Sequence, residues 1–525
     1  MYSEKNSIHA GENVNIAYEC LARHAKTPLA QKVAMVFVDD KLAHKDFTYA
    51  ELDDLSARFA QSFKMRGLIP GDRVLLRLPN TYVFPAAFFG AIRGGFIPVP
   101  TSPMLTGPEF AYLCENSGAA ALVTDTRLFQ PLAGEEFLRS LKAIYAAGEG
   151  ATIAIDEELK TIPPAADIHP TRGADPAYLV YTSGTTGYPK GVLHSQQALL
   201  GRLPAATNWF DFKPDSDDRI MHSGKFNWTY VLGTAMMDPL YHGKTVVVYE
   251  GENSPERWVQ LIAAHRCNIF IGVPTIFRQI LQKTQVDKAS LPHLKHAMCA
   301  GEHLTDEVLA GWMTRFGFPI YEGLGMSECS YYISQRPGDK IKPNSAGKIQ
   351  PGHRAHLLDE NLQPVKPGEE GMLCIHRSDP GLFLEYWRSE EANARQFKDG
   401  WFLTGDYARA DEEGYLFFLG RRDEIIKSFG YRVSPFEIER VYRDHAAIDD
   451  VVAFAEILGP EKTLIALCVQ LKAGHTFEGD ALLAWGKERM ASYKLPKKIY
   501  QLEKFPRSAN GKVLRSQIPR ALGVV

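Results

Sequence analysis

The first 170 residues alternate helix signals with short apolar strands, and the alternation resumes after residue 175 and runs to about residue 335. Thr48-Tyr49-Ala50-Glu51 reads as a capping box, after which Leu52, Leu55, Phe59 and Phe63 recur at helical spacing until Gly67. Val74 to Leu78 reads as a buried strand stopped by Pro79-Asn80, and a second helix pattern leads to Gly94-Gly95 and the strand-like Phe96 to Val99. Such a rhythm predicts parallel βαβ units, because the chain must cross back over a helix before the next strand can pair. From Gly347 to Gly420 the texture changes, and short apolar runs such as Met372 to Ile375 and Tyr415 to Phe418 alternate with turn residues. That stretch reads as a small barrel or sheet. Beyond Arg421-Arg422-Asp423-Glu424, Ser434-Pro435-Phe436-Glu437 reads as a capping box with proline in the first turn of a new helix. The expected fold class is α/β. The expected domains are 1–420, with a β-rich subdomain at about 345–420, and a small α+β domain over 421–525.

With 525 residues the chain exceeds what one hydrophobic core supports. Its 59 basic and 62 acidic residues nearly cancel, so charge does not point to nucleic acid or to an anionic membrane. A phosphate-bearing ligand therefore needs a local site. Seven cysteines without a CxxC pair fit a reducing compartment better than a disulfide framework. Met1 to Asn6 lacks a signal-peptide layout, and the apolar stretch Phe84 to Ile92 is too short to span a bilayer. A cytoplasmic location without membrane insertion is expected.

Four motifs carry chemistry. Tyr181-Thr182-Ser183-Gly184-Thr185-Thr186-Gly187-Tyr188-Pro189-Lys190-Gly191 lies between two extended runs, Ala177 to Tyr181 and Val192 to His194. Glycines and hydroxyls make a pliable loop suited to phosphate oxygens, and Lys190 adds positive charge. It is not a Walker A loop, since Gly-Lys-Ser/Thr is missing and no helix opens directly after it. Tyr321-Glu322-Gly323-Leu324-Gly325-Met326-Ser327-Glu328 ends on a carboxylate suited to a Mg²⁺ shared with waters and phosphates. Its glycine spacing fails the dinucleotide fingerprint, because Glu328 stands where the last glycine belongs. Asp406, behind the Gly405 turn, offers two acceptors for ribose hydroxyls with Arg421 close by in sequence. Pro506-Arg507-Ser508-Ala509-Asn510-Gly511-Lys512 presents a lysine on an Asn-Gly turn.

Together and in this order, these motifs resemble the adenylate-forming superfamily of acyl-CoA synthetases, peptide-synthetase adenylation domains and luciferases. The resemblance spans nearly the whole chain and is nearest to medium-chain acyl-CoA and benzoate-type CoA ligases. It implies an ATP-dependent ligase that forms an acyl-adenylate and then an acyl-CoA thioester, with Mg²⁺, ATP and coenzyme A required. Thr182, Ser183, Gly184, Thr185, Thr186, Gly187 and Lys190 would cradle the phosphates. Glu322, Gly323, Leu324, Gly325, Met326 and Ser327 would line the adenine and the acyl carboxylate, Gly301 and Glu302 would also bind the nucleotide, and Glu328 would bind the metal. Asp406 and Arg421 would hold the ribose, and Lys512 would reach the carboxylate and the α-phosphate. Asp423 matches the hinge between the two half-reactions, and Lys427 matches the lysine of the second geometry. Ser428, Gly430, Tyr431 and Arg432 would receive coenzyme A.

The resemblance also directs attention to departures. Leu324 stands where many relatives carry an aromatic against adenine. Phe226-Asn227-Trp228 differs from both patterns for the acyl pocket, whose candidate walls are Trp228, Gly325, Tyr331 and Tyr332. Gly325 replaces a bulky aromatic of acetate-specific relatives, which implies a deeper tunnel, so an aromatic or medium-chain acid is expected. A homodimer and acetylation of Lys512 are compatible with the family. A stand-alone enzyme loading a carrier protein is the competing reading, although no carrier segment follows in this sequence. His194 and His222 flank apolar runs and read as core histidines, Cys329 as a small buried thiol, and His293 and His296 as residues of a surface turn without partner ligands.

Overall fold

A computed structural model describes residues 13–147, 153–182, 189–302, 304–421, 424, 426–428, 431–459, 462–490, 492–507 and 513–524. The chain packs as two units, residues 1–354 with 376–400, and residues 355–375 with 401–525. The division expected at residue 420 therefore falls inside the second unit. Its β-rich segments 355–375 and 401–420 pack with the C-terminal hundred residues, where the Phe418 and Phe436 rings lie 5.5 Å apart.

In the first unit, a nine-stranded sheet carries the order Lys348–Ile349, Ser330–Ser334, Ile320–Met326, His296–Cys299, Ile269–Gly272, Arg219–His222, Thr245–Tyr249, Val33–Val38 and His44–Thr48. Its interior pairs are parallel and its two margins antiparallel. A second sheet, built on Arg73–Arg77, Ile97–Pro100 and Ala119–Asp125, is parallel throughout. Parallel strands covered on both faces read as continuous apolar runs, and Val74 to Leu76 is indeed fully buried.

The helix Tyr49–Met65 starts at the expected capping box. Thr48 Oγ1 accepts from the Glu51 amide, and the Glu51 carboxylate accepts from the Thr48 amide. Leu52, Phe59 and Phe63 form its buried stripe. The second expected capping box does not form. The Ser434 hydroxyl donates instead to the Leu419 carbonyl, and Glu437 pairs with Lys494 at 2.7 Å. Both partners arrive from distant sequence, so tertiary contacts outcompete the local cap. Pro435 nevertheless opens the helix Pro435–Arg443 as expected.

The second unit holds the antiparallel pairs Ala355–Leu358 with Glu370–His376 and Trp401–Ala410 with Leu416–Arg421. It also holds a three-stranded sheet of Ile448–Gly459, Lys462–Leu471 and Lys498–Gln501. Ile438, Tyr442, Ile465, Leu467 and Leu482 share the core beneath that sheet. Among the described residues no helix is long and apolar enough to cross a membrane.

Candidate active site

The glycine-rich motif is the connection of a β-hairpin. Pro176–Thr182 and Lys190–Ser195 pair antiparallel with Thr182 opposite Lys190. No helix follows Lys190, as the sequence implies. Ser183, Gly184, Thr185, Thr186 and Gly187 lie outside the described residues. The short strand Glu385–Tyr386 pairs with the outgoing arm, Tyr386 opposite Val192, and the Lys190 ammonium lies 5.6 Å from the centre of the Tyr386 ring.

The carboxylate motif is a second hairpin. Ile320–Met326 runs into Ser330–Ser334 through a turn that contains Ser327, Glu328 and Cys329. The His194 ring donates from Nε2 to the Ser327 carbonyl at 2.7 Å, linking the two hairpins. A carbonyl only accepts, so this nitrogen carries the proton. Burial lowers the His194 pKa to about 4 and keeps the ring neutral. It stacks on Tyr178 with centroids 4.6 Å apart. His194 is therefore a core histidine that fixes the turn.

Glu328 is held at both ends. Its carbonyl accepts from the Phe383 amide at 2.7 Å, and its Oε1 accepts from the Tyr386 hydroxyl at 2.6 Å. No partner bonds Oε2 among the described residues. One carboxylate oxygen left available beside a lysine-bearing hairpin fits a hard divalent cation that takes its other ligands from phosphates and water. Sequence reasoning missed Tyr386. Its pairing with the outgoing hairpin strand offers no local signal.

Glu322 is buried. Its carboxylate accepts from the Leu304 amide at 3.2 Å and its own amide donates to Gln335 at 2.9 Å, so it braces the segment after Gly301. The Glu302 carboxylate accepts from the Thr275 hydroxyl at 2.7 Å and from the Thr275 amide at the start of the helix Pro274–Lys283. Leu324 and Met326 are half-buried. Gly325 needs another explanation than tunnel depth. A Cβ there would lie 2.1 Å from the Ser330 carbonyl oxygen, so glycine is required by the close approach of the hairpin's own backbone. A side chain at 325 meets main chain before it could fill a tunnel.

The proposed acyl walls divide. Tyr331 is buried in a cluster with Trp209, Tyr230, Ile271, Met298 and Ala300, and Trp228 packs against it half-buried. Tyr332, the next residue on the strand, points to the opposite face. Its hydroxyl reaches Met326 and its ring lies 6.1 Å from His353. The two tyrosines therefore do not share one wall. Behind Tyr331 lies a buried ion pair, Arg202 to Asp238 at 2.8 Å, whose guanidinium also donates to the Tyr331 hydroxyl and to Ser330. Gly233 makes room for it, since a Cβ would fall 1.1 Å from Arg202 Nη2. The sequence signal was a lone arginine among Leu199, Leu200, Gly201 and Leu203.

His222 and Tyr230 meet edge to face, 4.7 Å apart, with His222 Nε2 and the Tyr230 hydroxyl both buried and unpaired among the described residues. His222 Nδ1 accepts from the Gly224 amide, and burial holds its pKa at about 3. His296 sits in a strand rather than a surface turn, and its ring donates to the Trp209 carbonyl while His293 is exposed. Burial pushes the Cys329 thiol up, so it is not a thiolate nucleophile.

In the second unit, Asp406 and Arg421 are register partners on adjacent strands and form an ion pair at 3.6 Å. Lys427 and Ser428 lie on the strand Ile426–Ser428, opposite Arg432 and Tyr431. Asp423, Gly430 and Lys512 lie outside the described residues.

Residues 21–387 match the AMP-binding enzyme family and residues 437–512 match the AMP-binding enzyme C-terminal domain. The 3-hydroxybenzoate–CoA/4-hydroxybenzoate–CoA ligase of Thauera aromatica is 29% identical over 519 residues, covering 97% of this chain and 97% of its own. The benzoate–CoA ligase of the same organism is 30% identical over 525 residues, covering 98% and 97%. The crystal structure of a benzoate CoA ligase from Burkholderia xenovorans LB400 superposes with a TM-score of 0.85 at 27% identity, covering 96% of this chain and 99% of that one.

Proposed function

Because this chain belongs to the AMP-binding enzyme family and is an AMP-forming acid–thiol ligase, which activates an acid with ATP and transfers it to coenzyme A, we propose that its acid is a benzoate-sized aromatic carboxylate. The aromatic cluster of Trp228, Tyr230 and Tyr331 beside the carboxylate hairpin carries this reading. Flat rings packed edge to face suit an aromatic guest, and each buried ring adds to affinity by area and by geometry.

In the first half-reaction a carboxylate oxygen attacks the α-phosphorus, and the bond from that phosphorus to the bridging oxygen breaks to release pyrophosphate. Two anions must approach, so electrostatics and orientation supply the catalysis. Thr182 to Lys190 would enclose the β- and γ-phosphates, Asp406 and Arg421 the ribose, and Lys512 would neutralise the carboxylate and α-phosphate as they meet. Glu328 would hold a Mg²⁺, which when bound spreads the triphosphate charge. In the second half-reaction the coenzyme A thiolate attacks the acyl carbon and AMP leaves. Asp423 would act as the hinge between the steps and Lys427 as the lysine of the second step. Ser428, Gly430, Tyr431 and Arg432 would line the path of the coenzyme.

The test is a carboxylate panel followed by pyrophosphate and AMP release: acetate, butyrate, hexanoate and benzoate, with coenzyme A present or omitted. Benzoate should exceed acetate in kcat/KM by about 100-fold or more, since each buried methylene is worth roughly 1–3 kcal/mol of discrimination. A preference for hexanoate moves the substrate to the medium-chain class. A preference for acetate overturns the reading.

A further inference from the structure

The segment 376–387 does more than connect strands. Its start is fixed by Asp379, which accepts from the Arg354 amide at 2.6 Å, the Gly381 amide at 2.8 Å and His353 Nδ1 at 3.1 Å. Its end is stitched to the outgoing arm of the phosphate hairpin, with the Leu384 amide donating to Leu193 at 2.7 Å and the Trp387 amide to Gly191 at 2.8 Å. Asn393 closes on both sides of Tyr386, accepting from its amide at 2.7 Å and donating to its carbonyl at 2.9 Å. Between these anchors the segment grips Glu328 twice, by the Phe383 amide on its carbonyl and by the Tyr386 hydroxyl on Oε1. The Tyr386 ring packs on Phe383 at 4.8 Å, and Lys190 stands over it.

A free glutamate side chain samples many rotamers and loses that freedom on binding a ligand. A 2.6 Å hydroxyl-to-carboxylate bond is charge-assisted and selects one rotamer in advance. It also engages Oε1, which leaves Oε2 as the carboxylate oxygen without a hydrogen-bond partner among the described residues. The same tyrosine touches the lysine of the phosphate hairpin and so ties the two charged residues into one register.

We propose that Tyr386 is a positioning residue for Glu328, holding its carboxylate in the orientation that receives the divalent cation of the bound nucleotide triphosphate. The inference rests on the reading of Glu328 as the metal-binding carboxylate. Tyr386 touches neither acid nor coenzyme A in this role, so its hydroxyl should matter in the first half-reaction and not in the second.

The test uses the full-length protein and a non-hydrolysable ATP analogue, with binding measured by calorimetry with and without Mg²⁺. Tyr386→Phe keeps the ring, its packing and its place over Lys190 while deleting the hydroxyl. It should reduce the gain in analogue affinity that Mg²⁺ produces by about tenfold, leaving metal-free binding and the unfolding midpoint unchanged. Thioester formation from pre-made acyl-adenylate and coenzyme A should stay within about twofold of the unmodified protein, as expected for a group that acts only through the cation. Glu328→Gln should remove the Mg²⁺ gain, and adding Tyr386→Phe to it should cost nothing further. Equal losses with and without Mg²⁺ would show a merely structural tyrosine, and an unaltered Mg²⁺ gain would overturn the proposal outright. If Glu328→Gln keeps the full gain, the metal reading of Glu328 is what fails. Should Tyr386→Phe not fold, 3-fluorotyrosine at 386, a stronger donor with the same shape, must move the Mg²⁺ half-saturation by about twofold or more. An unmoved value sinks the idea equally.

Discussion

The Glu328 turn and the Tyr331 cluster lie on one hairpin, three residues apart, yet they are stabilised by opposite means. Glu328 and Ser327 are fixed by directed hydrogen bonds from Phe383, Tyr386 and His194, with one carboxylate oxygen left over among the described residues. Tyr331 is fixed by apolar packing around a buried ion pair, with polar atoms of Tyr230 and His222 close by that are unpaired among the described residues. Directed bonds hold a half-buried charge in place without contributing much net stability. Packed rings and a buried pair commit far more free energy, and a cut there is felt by the whole domain. Substitutions at the polar end should therefore change rates, and those at the aromatic end should change stability.

The sharpest way to break this contrast is Asp238→Ala. It strands the Arg202 charge behind Tyr331 and should destabilise the first unit by about 3–5 kcal/mol in denaturant unfolding. A loss confined to catalysis would refute the assignment of that pair to the scaffold. Next in size, Lys512→Ala should slow acyl-adenylate formation about 10²–10³-fold, because it removes charge stabilisation from the transition state. Thioester formation from supplied acyl-adenylate should survive, and so should the unfolding midpoint. Parallel loss of both half-reactions would contradict its proposed role.

Acid should then test the buried histidines, of which His222 and His296 belong to the aromatic end and His194 to the polar one. Burial holds His222 at a pKa of about 3 and His296 at about 4, below the ordinary value of about 6.5 for the unfolded chain. The unfolded chain therefore binds more protons below pH 6.5, and stability must fall as pH drops from about 6.5 to about 4 for His296 and on to about 3 for His222. Each ring accounts for up to about 3 kcal/mol of that fall. Unfolding measured at both limits should show the loss, and a flat profile would mean that the rings are protonated in place. The smallest expected effect is Gly325→Ala, whose methyl strikes the Ser330 backbone and should cost about 1–3 kcal/mol of stability. A variant that kept its stability while changing its acid preference would restore the tunnel-gating view of this glycine.

What was legible in sequence has local determinants. The extended arms on either side of the loop before Lys190 and the capping box at Thr48 each need only a few adjacent residues, and adjacency is what a sequence displays. The parallel sheets followed from periodicity in the same way, since burial on both faces forces continuous apolar runs. What only the tertiary structure decided involves partners far apart in the chain. Ser434 abandons its expected cap for Leu419, Tyr386 reaches Glu328 across 58 residues, Arg202 reaches Tyr331 across 129, and Tyr332 turns away from the wall assigned to it. Strand alternation settles the last of these, but only once the strand's register says which face meets the cluster. Long-range pairing depends on which surfaces the folded sheets bring together, and no local pattern encodes that.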